Sequence, residues 1–562
     1  TDEAHSPFEP QDELASKSDE SDHDISDDDD EQDDQTDDGV VAVSIDRDSL
    51  MHRLFELPVE GGNYTDLNVT GKAIYYRSWP AVGSRKYALN VLEISDESPK
   101  PKEFATNISG YELSGDLSKL LLRSGDNLYI VDASASPPGS LDDGKVDLSS
   151  WSFPLDPREE WRQMFVEAWR LERDYFYDTG MHGVDWTAIR EKYIPLVDRV
   201  TDRWELSDLL AQMISELSAL HMTVGGGDYR RAEEDIDIAS LGARLIRDPR
   251  GGGYRIDRIY RGDPGRPETL SPLGKPGIII AEGDIITRIN GQDVLMAPHL
   301  NALIRNKVGQ QVLVEYKPRH RSGTDEAIVV PISGRAERNL RYLDWEITRR
   351  ELVDSLSDGQ VGYVHIRAMG RGNYAEWARD FFPVWDRAGL VVDVRHNQGG
   401  NIDSWILGSL LRRPFLWWQP RIGAADPNFQ YGFGGHMATL CNEWTSSDGE
   451  MFVEGFRRLN LGKVIGTRTW GGGIWLSYSN RLVDNGIASA AEFGVFGPEG
   501  SWPIEWYGVE PDTTVDNLPH ETFNGRDRQL EAAVEYLLNR IEAEPVERPM
   551  GPEYPDRTRP EE

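Results

Sequence analysis

The segment Asn442–Glu450 carries two adjacent hydroxyl side chains, Ser446 and Ser447, at the start of a predicted helix. Backbone N–H groups in the first turn of a helix have no helical partner, and the helix dipole favours negative charge there. A serine at this position suits nucleophilic attack, because the oxyanion that forms would be stabilised. The Ser-Ser-Asp pattern is also typical of an ordinary helix cap. The segment alone leaves both interpretations open.

A glycine pair, Gly399 and Gly400, ends the segment Asp393-Val-Arg-His-Asn-Gln-Gly-Gly400, which follows an apolar run typical of a buried strand. Glycine has no side chain, so the backbone N–H groups of such a turn can approach a ligand closely. The turn can therefore supply half of an oxyanion hole. A turn that needs glycine only for its geometry would have the same sequence.

Two further segments contain groups that suit catalysis. Gly466-Thr-Arg-Thr-Trp-Gly-Gly-Gly473 is a glycine-rich turn after a predicted strand, and Glu505 lies among the bulky neighbours of Trp502–Tyr507. A carboxylate among apolar groups is costly unless it is paired or functional. A surface position beside a turn explains Glu505 equally well.

Taken in order, these segments resemble the tricorn branch of the S41 serine peptidases. The shared motifs are Asp-Val-Arg-x-Asn-x-Gly-Gly, Asn-Glu-x-x-x-Ser-Asp-Gly, Gly-x-Arg-Thr-Trp-Gly-Gly and Gly-Val-x-Pro-Asp, and the resemblance runs from about residue 50 to 545. It implies that Ser447 is the nucleophile. It also implies an oxyanion hole formed by the N–H groups of Asp448 and of a glycine, Gly399 or Gly400.

The same resemblance assigns a base and a supporting acid. The base of the family is a histidine in the helical domain, and the matching phrase, Ser218-Ala-Leu-His-Met-Thr-Val-Gly225, gives His221. The carboxylate that completes the tetrad falls on Glu505. Leu220 replaces the serine that orients the histidine in the family. Either Glu505 reaches further, or Ser218 or a water substitutes, or activity is reduced.

Two other departures narrow the expected mechanism and specificity. The C-terminal processing peptidases, the other S41 branch, use a Ser/Lys dyad, and Gly472 stands where that lysine would be. His221 therefore remains as the base. The tricorn protease has an acidic residue that favours basic P1 side chains, whereas Phe415–Ile422 contains no acid. We predict that a strong preference for Lys or Arg at P1 is lost.

Cysteine and metal chemistry are not expected. Cys441 is the only cysteine, and its apolar neighbours indicate an inert buried thiol rather than a nucleophile. A single cysteine also excludes a disulfide framework and a cysteine-rich metal site, and it suits a reducing cytoplasm. The sequence predicts no cofactor and no metal.

Charge and hydropathy limit the expected partners. The formal net charge is −37, and residues 1–40 hold 18 Asp or Glu against one Lys. An acidic protein repels phosphates, so a nucleic acid partner is not expected. No apolar run is long enough for a membrane-spanning helix, and no signal-peptide pattern is visible. A cytoplasmic location is expected.

Patterning along the chain predicts a multidomain α+β protein. The predicted parts are an acidic disordered tail (1–40), a β-rich domain with β-propeller-like strands (41–150), a helical domain that carries the base (151–235), a PDZ domain (236–336), an α/β peptidase core (337–546) and a C-terminal tail (547–562). The strand-rich part has length for about two propeller blades, so it is a truncated propeller or a small β-domain. The resemblance implies a ClpP/crotonase-like fold for the core.

The PDZ prediction rests on two phrases. Glu282-Gly-Asp-Ile-Ile-Thr-Arg-Ile-Asn-Gly291 resembles the PDZ strand and turn that end in Ile-Asn-Gly. Ser240-Leu-Gly-Ala243 resembles the loop that holds a peptide carboxylate, with Leu241 and Gly242 at its centre. A PDZ domain binds an extended peptide as an added strand. A PDZ fold used only as a spacer or lid is the alternative.

These features together predict a serine endopeptidase or oligopeptidase that hydrolyses short or unfolded peptides through an acyl-enzyme. A catalytically weak or inactive peptide-binding scaffold is the alternative, which Leu220 and the shortened propeller region favour. The family assembles into hexameric rings, so the resemblance also implies a homo-oligomer, with a hexamer as the expected form.

Overall fold

The computed structural model describes residues 6–8, 54–80, 86–97, 99–230, 234, 236–477, 479–546 and 549–557. Most of the predicted acidic tail at 1–40 and part of the predicted C-terminal tail lie outside these residues. The chain divides into two compact units, Thr1–Pro154 and Leu155–Glu562. None of the helices in the described ranges is long and apolar enough to cross a bilayer.

The described part of the N-terminal unit contains two antiparallel meanders. Its described strands are β1 (Asn63–Val69), β2 (Ala73–Trp79), β3 (Ala88–Glu93), β4 (Lys102–Thr106), β5 (Gly110–Leu113), β6 (Lys119–Ser124) and β7 (Asn127–Asp132). Strands β1–β4 form one sheet in chain order, and β5–β7 form another. In β6, Leu120 and Leu122 are buried whereas Leu121 is exposed, as the two-residue period of a strand requires.

The C-terminal unit is a mixture of helices and strands. Its described helices are α1 (Pro157–Tyr175), α2 (Trp186–Val197), α3 (Arg203–Ser215), α4 (Gly334–Ser357), α5 (Arg371–Phe381), α6 (Asp403–Leu410), α7 (Asp448–Arg458), α8 (Pro519–Phe523) and α9 (Arg528–Ala543). Its described strands are β8 (Thr223–Gly225), β9 (Ala239–Ser240), β10 (Ala243–Asp248), β11 (Gly253–Ile259), β12 (Ile285–Ile289), β13 (Gln292–Asp293), β14 (Val312–Lys317), β15 (Asp325–Val329), β16 (Ile332–Ser333), β17 (Val361–His365), β18 (Gly389–Asp393), β19 (Leu416–Trp418), β20 (Asp426–Asn428), β21 (His436–Cys441), β22 (Gly462–Gly466), β23 (Ile487–Ser489) and β24 (Thr513–Thr514).

A five-stranded parallel sheet forms the centre of this unit, in the order β17-β18-β21-β22-β24. Both of its faces are covered, which is why β18 reads as a continuous apolar run. Leu390 and Val392 face a core shared with α5, α6 and α7, whereas Val391 faces α4 and α9. The carboxyl ends of parallel strands lie at one edge, so the segments after β18, β21 and β22 converge there.

The helical segment is attached to this core through a strand pair. Helices α1, α2 and α3 pack around a shared apolar core that includes Phe165 and Leu210. Strand β8, which begins two residues after His221, pairs antiparallel with β23. This pairing brings the segment with the predicted base to the peptidase core, more than 200 residues later in the chain.

The predicted PDZ region forms a sheet in the order β10-β11-β12-β14-β15, with β13 paired to β12. Leu241 is buried in its core. The Gly242 N–H donates to the Ser240 hydroxyl at 3.0 Å, and the Gly242 carbonyl accepts from the Ser271 hydroxyl at 2.9 Å. A peptide carboxylate that used the Gly242 N–H would have to displace the Ser240 bond.

A buried ion network fixes the carboxyl end of β18. The Arg395 guanidinium is 2% exposed and donates to Asp393 at 2.6 Å and to Asp527 at 2.8 Å. Burial raises the pKa of Asp527, but the charge of Arg395 outweighs it and lowers that pKa from 3.8 to about 2. The Asp-x-Arg part of the motif is therefore structural.

We expect Asp527→Asn to destabilise the core by about 3 kcal/mol at neutral pH, because Arg395 loses one of its two buried counter-charges. A depressed pKa contributes stability above 3.8 that is lost as the pH falls towards 2. The difference from the parent protein should therefore shrink below about pH 4. Hydrogen exchange of the β18 amides measures it, and Glu535→Gln, at an exposed position of α9, is the matched control. Equal protection in Asp527→Asn and the parent would contradict this role.

Candidate active site

Ser447 stands at the junction of β21 and α7 in a strained backbone conformation. Its φ of 55° and ψ of −124° are unusual for a residue with a side chain. It precedes the first residue of α7, makes no side-chain cap hydrogen bond and is half-buried. The helix-cap alternative from the sequence is therefore not how the hydroxyl is used.

The glycine turn lies directly against this serine. A side chain at Gly399 would place its Cβ 2.5 Å from the Ser447 Cβ and 2.9 Å from Oγ. At Gly400 the Cβ would lie 2.1 Å from the Met369 carbonyl oxygen. Both glycines also have positive φ, 77° and 152°. The close approach, and not only the turn, requires glycine at both positions.

The two glycines differ in what their N–H groups can do. The Gly399 N–H donates to the Asn397 side chain at 2.8 Å. Within the described ranges, the N–H groups of Gly400 and Asp448 have no acceptor. Three residues were predicted for an oxyanion hole. The N–H groups of Gly400 and Asp448 are available to bind an oxyanion, whereas the Gly399 N–H is already hydrogen-bonded.

Glu450 is a buried carboxylate that the sequence did not single out. Its side chain is fully buried and accepts from the Ser447 N–H at 3.0 Å and from the Thr469 hydroxyl at 2.6 Å. It also accepts from the N–H groups of Gly471 at 2.6 Å and Gly472 at 2.9 Å. One carboxylate therefore fixes both the Ser447 turn and the segment Thr469–Ile474, called the bridging loop below. Its signal was the Ser-x-x-Glu spacing of a capping box.

His221 is oriented by the far end of the bridging loop. Its Nδ1 lies within hydrogen-bond distance of the Ile474 carbonyl. A carbonyl only accepts, so Nδ1 carries the proton and Nε2 has the free lone pair of a base. The ring meets Trp470 edge-on, with centroids 5.8 Å apart. Among the residues that the structure describes, no hydrogen bond joins His221 to Ser447, and catalytic hydrogen bonds are often long before substrate binds.

Glu505 holds the backbone on both sides of His221 without touching its ring. It accepts from the Leu220 N–H at 3.0 Å and from the N–H groups of Gly473 at 2.7 Å and Ile474 at 3.2 Å. At Leu220 it is the backbone N–H that contacts Glu505, and the His221 ring is oriented by the Ile474 carbonyl.

Burial and charge set the protonation of the base. Desolvation lowers the pKa of His221 below 6.5, whereas its bond to the Ile474 carbonyl and the charge of Glu505 oppose this shift. His221 is therefore neutral at pH 7, as a base must be.

The Asp448 side chain holds the start of α6, which follows the glycine turn. It accepts from the N–H groups of Ile402 at 2.8 Å and Asp403 at 3.1 Å, which open α6. Burial and the neighbouring charge of Asp403 raise the pKa of Asp448 to about 6. Asp448 thus combines a free N–H with a carboxyl that ties α7 to the turn.

A cavity of about 650 Å³ adjoins this centre. Three aromatic rings line it, those of Tyr342, Trp444 and Trp470, together with Ser446 and other polar side chains. Trp470 also contacts His221. The cavity therefore adjoins Ser447 through its neighbour Ser446 and His221 through Trp470.

Cys441 and metal chemistry have no support here. Cys441 is fully buried, and burial raises the pKa of its thiol to about 12, so the thiolate needed for attack does not form at neutral pH. In the described part of the chain, no group of three or more His, Cys, Asp or Glu side chains is placed to hold a metal ion.

Three family models match separate segments of the chain. Residues 157–215 match the tricorn protease C1 domain, residues 239–334 match the tricorn protease PDZ domain, and residues 360–515 match peptidase family S41. Ser447 lies in the third segment. His221 follows the first one closely.

Known proteins are similar along most of the chain. A protein of Sulfurisphaera tokodaii described as a tricorn-like protease C-terminal subunit is 34% identical, covering 89% of this chain and 58% of its own length. A tricorn protease homolog of Saccharolobus solfataricus is 33% identical, with 87% and 46% covered. The crystal structure of the tricorn protease matches with a TM-score of 0.77 at 26% identity, covering 86% of this chain and 47% of that one. The chain spans about half the length of the curated relatives it matches. It carries the C1, PDZ and S41 domains of the tricorn proteases and is a tricorn-like member of peptidase family S41.

Proposed function

We propose that this protein is a serine-type peptidase that hydrolyses short or unfolded peptides through an acyl-enzyme. The observation that carries the proposal is the strained Ser447, whose hydroxyl caps nothing and which lies against the glycine turn. Similarity to tricorn proteases supports the same reaction.

In the proposed reaction each of these groups has one role. Ser447 Oγ attacks the scissile carbonyl carbon as its proton passes to His221 Nε2. The N–H groups of Asp448 and Gly400 stabilise the oxyanion. Collapse of the tetrahedral intermediate breaks the C–N bond, and the leaving amine takes the proton from His221. Water then attacks the ester by the same route and releases the acid. Glu505 acts by holding the backbone around His221 and by its negative charge.

The proposal includes three further features of the protein. It forms a homo-oligomer, it lacks a strong preference for Lys or Arg at P1, and its domains meet near residues 40, 150, 235, 336 and 546. The PDZ region would contact peptides by strand addition or act as a spacer. The cavity beside Ser446 would take a substrate side chain.

Ser447→Ala should abolish labelling by a serine-directed phosphonate and lower peptide cleavage by about 10³-fold or more, since the other members of the site do not replace the nucleophile. Ser446→Ala is the control for the choice between the two adjacent serines, because the Ser446 hydroxyl donates to the Asn397 carbonyl at 3.1 Å. The control should keep its labelling. Unchanged cleavage in Ser447→Ala, with no label on Ser447 in the parent, would refute the proposal. Peptide binding without any labelling would favour the inactive scaffold.

The rate of phosphonate labelling should rise with pH through a midpoint below 6.5, because the lowered pKa of His221 keeps it neutral to lower pH. Glu505→Gln removes a charge that favours the protonated ring, so the midpoint should fall further. Asp403→Asn controls for Asp448, which titrates near pH 6. A pH midpoint that shifts in Asp403→Asn and stays unchanged in Glu505→Gln would contradict the role of His221.

Glu450→Gln should lower kcat by about 100-fold with KM within a few-fold, because an amide presents N–H where the site needs an acceptor and the bridging loop loses its position. Steady-state kinetics with an unfolded peptide substrate measures this. Glu454→Gln, one turn later on α7 and paired to Arg457 and Arg458, is the control. Equal losses of kcat in Glu450→Gln and Glu454→Gln would show that Glu450 contributes to stability and does not position the site.

A further inference from the structure

A second cavity is lined by Glu505, the carboxylate that also accepts from the bridging loop. Its volume is about 560 Å³, and four aromatic rings and two carboxylates line it, those of Tyr177, Trp502, Trp506, Tyr507, Asp178 and Glu505. It shares no lining residue with the cavity beside Ser446. We call it the aromatic–acid pocket.

Three of the aromatic side chains that line this pocket are largely exposed to solvent. Trp502, Trp506 and Tyr507 are 50%, 56% and 65% exposed. Two contacts hold Tyr177 in place. Its ring packs edge-on against Trp502, with centroids 5.6 Å apart, and its hydroxyl is hydrogen-bonded to His182 Nε2 at 2.6 Å. Side chains of this size are costly to leave in water, so a cluster of them around a cavity indicates a binding site.

The charge of the pocket is negative. None of the described residues that line it is a lysine or an arginine. The phenol of Tyr177 responds to this field, because burial and the charges of Glu505 and Asp178 raise its pKa. His182 also lines the pocket, and its Nε2 is bonded to the Tyr177 hydroxyl. Aromatic faces together with carboxylates are the chemistry that recognises a cation.

The carboxylates favour an ammonium group over a guanidinium. Asp178 accepts from the N–H groups of Gly180 at 2.9 Å and His182 at 2.8 Å through different oxygens. Both oxygens of Glu505 are likewise engaged by backbone N–H groups. A guanidinium fork needs both oxygens of one carboxylate free, whereas an ammonium bonds to single remaining lone pairs.

We propose that the aromatic–acid pocket binds an ammonium group of the peptide substrate, either its free amino terminus or a lysine side chain. The inference deepens the proposed function and rests on it for the identity of the ligand as a peptide. Glu505 connects the two sites, because the carboxylate that lines the pocket also holds the Leu220 N–H beside His221.

Calorimetric binding of one peptide series to Ser447→Ala protein tests this without turnover. The series has the parent peptide, its N-acetylated form, the form with norleucine in place of lysine, and the form with both changes. We expect the doubly changed peptide to bind about fivefold or more weakly than the parent. The single change that accounts for the loss identifies the source of the ammonium group.

Asp178→Asn, added to Ser447→Ala, should remove this discrimination while keeping an acceptor for the 178–182 turn. Asp174→Asn is the matched control, because this exposed carboxylate is four residues away and does not line the pocket. Trp506→Ala, at an exposed side chain, repeats the test if Asp178→Asn fails to fold. Equal binding of all four peptides to Ser447→Ala protein, or discrimination that survives in both pocket variants, overturns the inference. Phosphonate labelling of the parent protein is independent of these outcomes and reports on the proposed function alone.

Discussion

The buried carboxylate of Glu450 is the constraint on which the candidate site depends. A charge at this depth is unfavourable unless donors surround it, and Glu450 has four, one from the Ser447 turn and three from the bridging loop. These donors lie in segments that follow two neighbouring strands of the parallel sheet. The electrostatic requirement of one side chain thus fixes the position of the predicted nucleophile relative to the loop that meets the predicted base.

A second carboxylate, Glu505, continues the same arrangement to His221. The bridging loop gives N–H groups to Glu450 at one end and to Glu505 at the other, and its Ile474 carbonyl orients the imidazole. The base belongs to a segment far away in sequence, and it reaches the core through the β8–β23 pairing. Backbone groups, rather than a chain of side-chain hydroxyls, therefore connect acid and base.

The sequence predicted a partly parallel sheet from local patterns, whereas the candidate site residues came from the order of the motifs and the family resemblance they carry. The apolar run of β18 predicted a buried strand, and the glycine pair after it predicted a turn whose backbone can approach a ligand. The structure brings that turn against Ser447. The sequence did not separate Gly399 from Gly400, because the difference depends on where the Asn397 side chain points. It also missed Glu450, whose partners are mostly backbone N–H groups from a loop about 20 residues further along the chain. Any residue offers a backbone N–H, so contacts of this kind cannot be recognised from residue type. The contact between the Leu220 N–H and Glu505 was missed for the same reason.

Trapping the covalent intermediate tests the central claim most directly. The protein is mixed with an activated peptide ester, quenched in acid within the first turnover, and its intact mass and peptide map are measured. The account predicts one added acyl group per chain, located on Ser447, with release of the first product as a burst. Product formation with no acyl group on the chain, or an acyl group on a residue other than Ser447, would contradict it.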